Sequence, residues 1–225
     1  MIRNVGIEEI WDGRFYGYQD MVRVGCHDCE GCSACCHGME ETIQLDPLDI
    51  FRLSIATGKS FYDMVEHEIE LRLIDGIILP NLRMAAESPT GSKACFFLGK
   101  DGRCGIHPYR PGICRLFPLG RYYENGSFRY FLQKGECRRT DRYKIKLRDW
   151  IDVEKPLQYD TYICDWHYFV KGISQSLAYL DENEKRQAYL YILKQFYGLP
   201  YETDRDFYEQ FYRRLEEARR ELLCP

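Results

Sequence analysis

Residues 42 to 58, TIQLDPLDIFRLSIATG, read as a short strand leading into a helix. Asp46 is placed as the N-cap, Pro47 suits the first helical position, and Gly58 can close the helix. Ser60 with Asp63 predicts a second cap, opening a short helix through FYDMVEHE. IELRLIDGIILPNLRM carries two apolar-alternating runs around Asp75-Gly76, which predicts a hairpin on a two-residue turn. RYYENGSFRYFLQ repeats that pattern around Asn125-Gly126 and delivers the chain to Cys137. Between the hairpins, from Cys95 to Gly120, the chain is turn-rich, and an Asp101-Gly102 turn is placed to set Cys95 beside Cys104 on paired strand ends. Beyond residue 150 the pattern becomes helical over Gln158 to Leu180 and Glu182 to Tyr197. Asp204 to Leu223 adds capping, charge pairs four apart and an apolar stripe.

The reading is an α+β fold: a small, irregular, cysteine-rich metal-binding domain with short β-hairpins, over residues 1–150, and a C-terminal helical cap, 151–225, packed on it. The chain has 225 residues, 45% hydrophobic and 29% charged, as in a globular protein. Its formal net charge of -4 gives no global basicity to recruit nucleic acid or an anionic membrane. Neither a signal-peptide core nor a run of eighteen uncharged apolar residues is found, so the expectation is a cytoplasmic protein. In a reducing cytoplasm disulfides are rare, and eleven cysteines, an odd number, point to metal or redox chemistry.

Five of those cysteines lie in GCHDCEGCSACCHG, residues 25–38. Cys26, Cys29, Cys32 and Cys35 recur every three residues, but Gly25, Gly31 and Gly38 favour a loop of tight turns over a helical stripe. A Cys-x2-Cys pair lets two thiolates hold one tetrahedral ion, in zinc knuckles and in iron-sulfur loops alike. Neighbouring side chains normally diverge, so adjacent Cys35 and Cys36 are expected to serve two centres rather than one mononuclear ion. Cys29, Cys32, Cys35 and Cys36 divided with Cys95, Cys104, Cys114 and Cys137 could complete two four-thiolate sites or one larger cluster, and the spacing leaves that pairing open.

CxxCxxCC from Cys29 to Cys36, CFFL at Cys95 and CGIHPYRPGICRLFP from Cys104 to Pro118 together resemble the YkgJ family of cysteine cluster proteins, described as zinc- or iron-chelating. The resemblance covers about residues 20 to 140. It implies metal-binding roles for Cys29, Cys32, Cys35, Cys36, Cys95, Cys104 and Cys114, with Cys137 as an eighth, in the context of Arg110-Pro111 and Cys114-Arg115. One relative, the flagellin lysine methylase, shares the signature and uses an iron-sulfur cluster, which implies enzyme activity as the alternative. The chain departs from the pattern at Cys26, an extra cysteine, at His107, where tyrosine is usual, and beyond residue 150.

The expected function is therefore coordination of an iron-sulfur cluster or zinc through clustered thiolates, with the iron-sulfur centre favoured. The alternative is an iron-sulfur-dependent enzyme of redox or methyl transfer. Arg110 and Arg115 read as cofactor-binding, by compensating an anionic cluster or capturing an acidic substrate. Histidines 27, 37 and 107 read as polar loop residues before they read as ligands, His67 and His167 as helix residues, and Cys164 and Cys224 as packing thiols. CRRTDRYKIKLR, 137–148, reads as a solvated face, so nucleic acid is not an expected partner. The tyrosine-rich C-terminal helices offer a surface to a protein partner or pack internally. No nucleotide fingerprint, P-loop or hydrolase elbow occurs.

Overall fold

The computed structural model describes residues 7–39, 42–87 and 93–223. The chain begins with helix α1 (Ile7–Ile10), strands β1 (Trp11–Tyr16) and β2 (Met21–Gly25), helices α2 (Pro47–Thr57) and α3 (Phe61–His67), and strands β3 (Ile69–Ile74) and β4 (Ile77–Leu82). Strands β5 (Met84–Glu87) and β6 (Lys93–Cys95) follow, then helix α4 (Gly112–Leu116) and strands β7 (Leu119–Glu124), β8 (Ser127–Gln133) and β9 (Tyr143–Lys146). It ends with helices α5 (Leu147–Ile151), α6 (Pro156–Leu177), α7 (Glu182–Leu193) and α8 (Phe207–Leu223). The fold is α+β, as the patterning predicts. Cys224 lies outside the described residues.

Two compact units divide the chain, one from residues 1–40 with 84–159, the other from 41–83 with 160–225. Composition changes near residue 150, whereas the contacts group residues 41–83 with the C-terminal helices.

Among the described residues the first unit contains three antiparallel sheets. β1, β8 and β7 form a sheet in that order, β2 pairs with β9, and β5 pairs with β6. The β7–β8 turn is the expected one: Asn125 (φ 51°) and Gly126 (φ 74°) both occupy the left-handed region that a two-residue hairpin needs. β9 begins within the basic 137–148 run and leaves Tyr143, Lys144 and Lys146 exposed, the solvated face expected there.

The second unit packs helices on one hairpin. α2 starts at a reciprocal capping box in which Asp46 accepts from the Asp49 amide at 2.9 Å and Asp49 accepts from the Asp46 amide at 3.1 Å. Ser60 and Asp63 form the second box at α3. Gly58 closes α2 at φ 69°. Asp75 and Gly76 turn the β3–β4 hairpin, and the Tyr189 hydroxyl donates to the Gly76 carbonyl at 2.9 Å. The predicted strand before Asp46 is reduced to a bridge between Gln44 and Asn81, with backbone bonds of 2.9 Å from Leu45 to Pro80 and from Leu82 to Ile43. Its two apolar residues, Ile43 and Leu45, are both buried.

An aromatic core fills this unit. The Tyr162 ring lies 4.6 Å from that of Phe211, and Trp166 lies 4.9 Å from Phe196. The helix predicted to reach Tyr197 leaves α geometry after Leu193, where the Leu199 amide bonds the Lys194 carbonyl at 2.8 Å in a π turn. That wider turn buries adjacent Phe196 and Tyr197 together. α8 starts later than Asp204, because Asp206 supplies the cap, accepting from the Tyr208 and Glu209 amides at 2.8 and 3.1 Å. Among the described residues no helix is long and apolar enough to cross a membrane.

Candidate metal centre

β2 ends at Gly25 and hands the chain to the cysteine loop. Gly25 faces Tyr143 of β9, and there is no room there for a Cβ beside the phenol ring. The loop then turns tightly, as the glycines predict: the Cys29 amide bonds the Cys26 carbonyl at 3.0 Å, and the Cys32 amide bonds the Cys29 carbonyl at 2.9 Å. The Cys36 amide bonds Ser33 at 2.8 Å in a second 3₁₀ turn, Ala34–Cys36. His27 (φ 50°) and Cys29 (φ 56°) occupy the left-handed region without being glycine. Backbone held in this sparsely populated region clusters at ligand clamps and other functional sites.

Two further segments close on this loop. His37 bridges Ala94, and the Gly38 amide bonds the Lys93 carbonyl at 2.9 Å, which sets the end of β6, and so Cys95, alongside. Leu98 bridges Cys104 around the Asp101-Gly102 turn, where the Gly105 amide reaches the Phe97 carbonyl at 2.8 Å.

The thiols are linked. Cys26 Sγ lies 3.0 Å from Cys29 Sγ. Burial, then the Cys26 contact, pushes the Cys29 thiol far up. A hydrogen bond to Cys36, then burial, does the same to Cys35. Cys95 is pushed up to about 11, by burial first and then by neighbouring Cys104 and Cys35. Cys104 is raised by burial, with Cys35 adding to it and Arg110 opposing it. Six thiols, Cys26, Cys29, Cys35, Cys36, Cys95 and Cys104, thus form one chain of mutual influence.

Two arginines attend the thiols. Arg110 lowers Cys29, Cys35 and Cys104 alike, and its Nη1 donates to His107 Nε2 at 2.7 Å. Arg139 pairs first with the Asp141 carboxylate, to which its Nε donates at 2.7 Å, and also donates to the Glu30 carbonyl at 2.9 Å, beside Cys32 and Cys26. Arg115 is buried elsewhere in the same unit, over the Tyr159 ring. Cys114 lies in α4 and Cys137 between β8 and β9, and the links just described do not include them. The eight cysteines with ligand spacing nevertheless all fall in the first unit.

The His27 ring lies 5.0 Å from that of Tyr143, and His37 Nε2 is 3.4 Å from Ser33 Oγ. His67 ends α3, and Cys164 and His167 lie on α6, in the second unit. Cys26 and Arg139 were not singled out by the cysteine signature. The Cys26-x2-Cys29 spacing is the signal that marks the first, whereas nothing local marks the second.

Among the described residues no three His, Cys, Asp or Glu side chains already close on a point as a metal cage. The donor set itself suits zinc or iron. Soft thiols crowded in a half-buried loop repel one another as thiolates, and a cation that replaces their protons removes that repulsion. Arg110 supplies partial compensation in advance. The model of a family named for its CxxCxxCC spacing, a candidate zinc- or iron-chelating domain, matches residues 28–146. Neither the curated proteins nor the solved structures include a significant match to the chain.

Proposed function

Because the chain belongs to the CxxCxxCC family and binds zinc or iron as a member of it, we propose that its centre is polynuclear, an iron-sulfur cluster held by loop thiolates rather than one zinc ion. The observation that supports this reading is that six neighbouring thiols act on one another, two more than a single tetrahedral zinc ion takes, so the surplus calls for more than one metal and the soft thiolate set suits iron with sulfide. Cys29, Cys32, Cys35, Cys36, Cys95 and Cys104 hold the metal, and Cys114 and Cys137 complete the set, with Cys26 as a further donor. Arg110 offsets the negative charge of the thiolates. Bound iron and sulfide would supply the redox-active or structural centre, and the odd number and ligand-type spacing of the cysteines support a reducing, cytoplasmic setting.

The test is metal and acid-labile sulfide analysis, with a visible spectrum, on protein purified without oxygen. More than one iron per chain, with sulfide and broad visible absorption, is the expected result. A single zinc and no colour would overturn the polynuclear centre and leave metal chelation standing. Cys35→Ser should lower metal content and melting temperature together. Cys26→Ser should do the same, and unchanged metal content there would remove Cys26 from the donors.

A further inference from the structure

In the first unit, α4 and β7 bring two arginines to one tyrosine. Arg115 is 5% exposed, and Tyr159, in the first turn of α6, is 1% exposed. The Tyr159 ring centroid lies 5.4 Å from Arg115 Cζ and 5.5 Å from Arg121 Cζ, and Arg121 Nη2 donates to Tyr159 Oη at 2.9 Å. Phe128 and Tyr130 add rings 5.6 and 5.8 Å from Arg121 Cζ. The surroundings are therefore aromatic on every side that these contacts define.

Nε and Nη2 of Arg115 and Nε of Arg121 are buried and meet no hydrogen-bond partner. None of the ion pairs among the described residues includes either arginine. Burial is the largest influence on Arg121, and the groups that act on it next are Tyr159, Tyr123 and Tyr130, none of them a carboxylate. Cation–π contact recovers only part of what it costs to take a guanidinium out of water, and two cations on one ring repel each other. An oxyanion answers all of this, because its oxygens match the planar guanidinium fork.

We infer that Arg115, Arg121 and Tyr159 form a binding site for a phosphoryl group. Such a group carries up to about two negative charges and three acceptor oxygens, against two guanidiniums with three orphaned nitrogen donors. Arg121 is half-buried, whereas Arg115 is buried. The site does not depend on the metal reading, since its three side chains are not thiols and its defects are its own.

The test titrates inorganic phosphate into the full-length protein with its metal in place, at constant ionic strength, followed by calorimetry and by melting temperature. Saturable heat and a higher melting temperature in phosphate, with no such effect of added chloride, are expected. Arg115→Met should abolish the phosphate response and melt no lower than the parent in chloride, because it deletes an uncompensated buried charge. Arg115→Lys, which keeps the charge and loses the fork, should bind phosphate at least tenfold more weakly and covers the case in which the Met variant does not fold. An equal response in parent and variants would reveal a general salt effect and overturn the site. A response seen only after metal is stripped would assign the two charges to the thiolate centre, and would overturn it as well. Phenyl phosphate then distinguishes the sources: tighter binding than inorganic phosphate points to a phosphorylated organic ligand, equal binding to the free ion.

Discussion

Gly25→Ala tests how the cysteine loop is anchored. An ideal Cβ at residue 25 would lie 2.6 Å from Cζ and 2.7 Å from Cδ2 of Tyr143, and nearer still to Cε2. Ordinary carbon contacts are about 3.5–4.0 Å, so the ring has to move by about 1 Å. Overpacking of this kind costs about 1–3 kcal/mol, and because Tyr143 is 41% exposed and can swing outward, the lower part of that range applies. Against it, replacing glycine by alanine in an unstrained backbone stabilises by about 0.4–1 kcal/mol through the unfolded chain. The net loss is about 0.5–1.5 kcal/mol, or about 1–6 °C in melting temperature for a chain of this size. The assay is a double-mutant cycle with Tyr143→Ala, read by urea denaturation and by metal per chain. With the ring removed, Gly25→Ala should become stabilising by about 0.4–1 kcal/mol, and metal content should recover. The same destabilisation in both backgrounds would refute the steric argument.

Two further outcomes follow from the second unit. Tyr162→Phe should cost about 2–4 kcal/mol in chemical denaturation, because the hydroxyl accepts from the Leu48 amide at 3.0 Å and donates to the Asp46 carboxylate at 2.9 Å; a loss below about 1 kcal/mol would show that neither bond matters. Burial, then Lys171, lowers His167 from 6.5 to about 4, so its neutral form is favoured by folding. That stability is fully present above pH 6.5 and is lost as pH falls toward 4. Discounted for partial exposure, the loss is about 1 kcal/mol. His167→Gln should flatten that part of the stability–pH curve relative to the parent, and parallel curves would contradict the assignment.

What was legible in the sequence is what depends on neighbours in the chain. The boxes at Asp46 and Ser60 close over three residues, and Asp75-Gly76 and Asn125-Gly126 satisfy a turn geometry that few residue pairs tolerate. The Cys-x2-Cys loop needs only short turns to bring thiols together, so metal chemistry and family were readable before any fold was known. Helix ends were less secure: the π turn after Leu193 answers to the burial of Phe196 and Tyr197, a demand from elsewhere in the unit.

The pairing of distant segments was decided only in three dimensions. β2 finds β9, and Gly25 meets Tyr143, because packing selects among strands whose local signals are weak. Residues 41–83 join the C-terminal helices through bonds such as that from Tyr162 to Asp46, which no periodicity encodes. Cys35 acts electrostatically on Cys95 and Cys104, Arg139 reaches the Glu30 carbonyl, and Arg115 and Arg121 share Tyr159, all by the same cause. Local sequence sets which residues can bind metal or anion; the close packing of remote side chains sets which of them meet, and at what electrostatic cost.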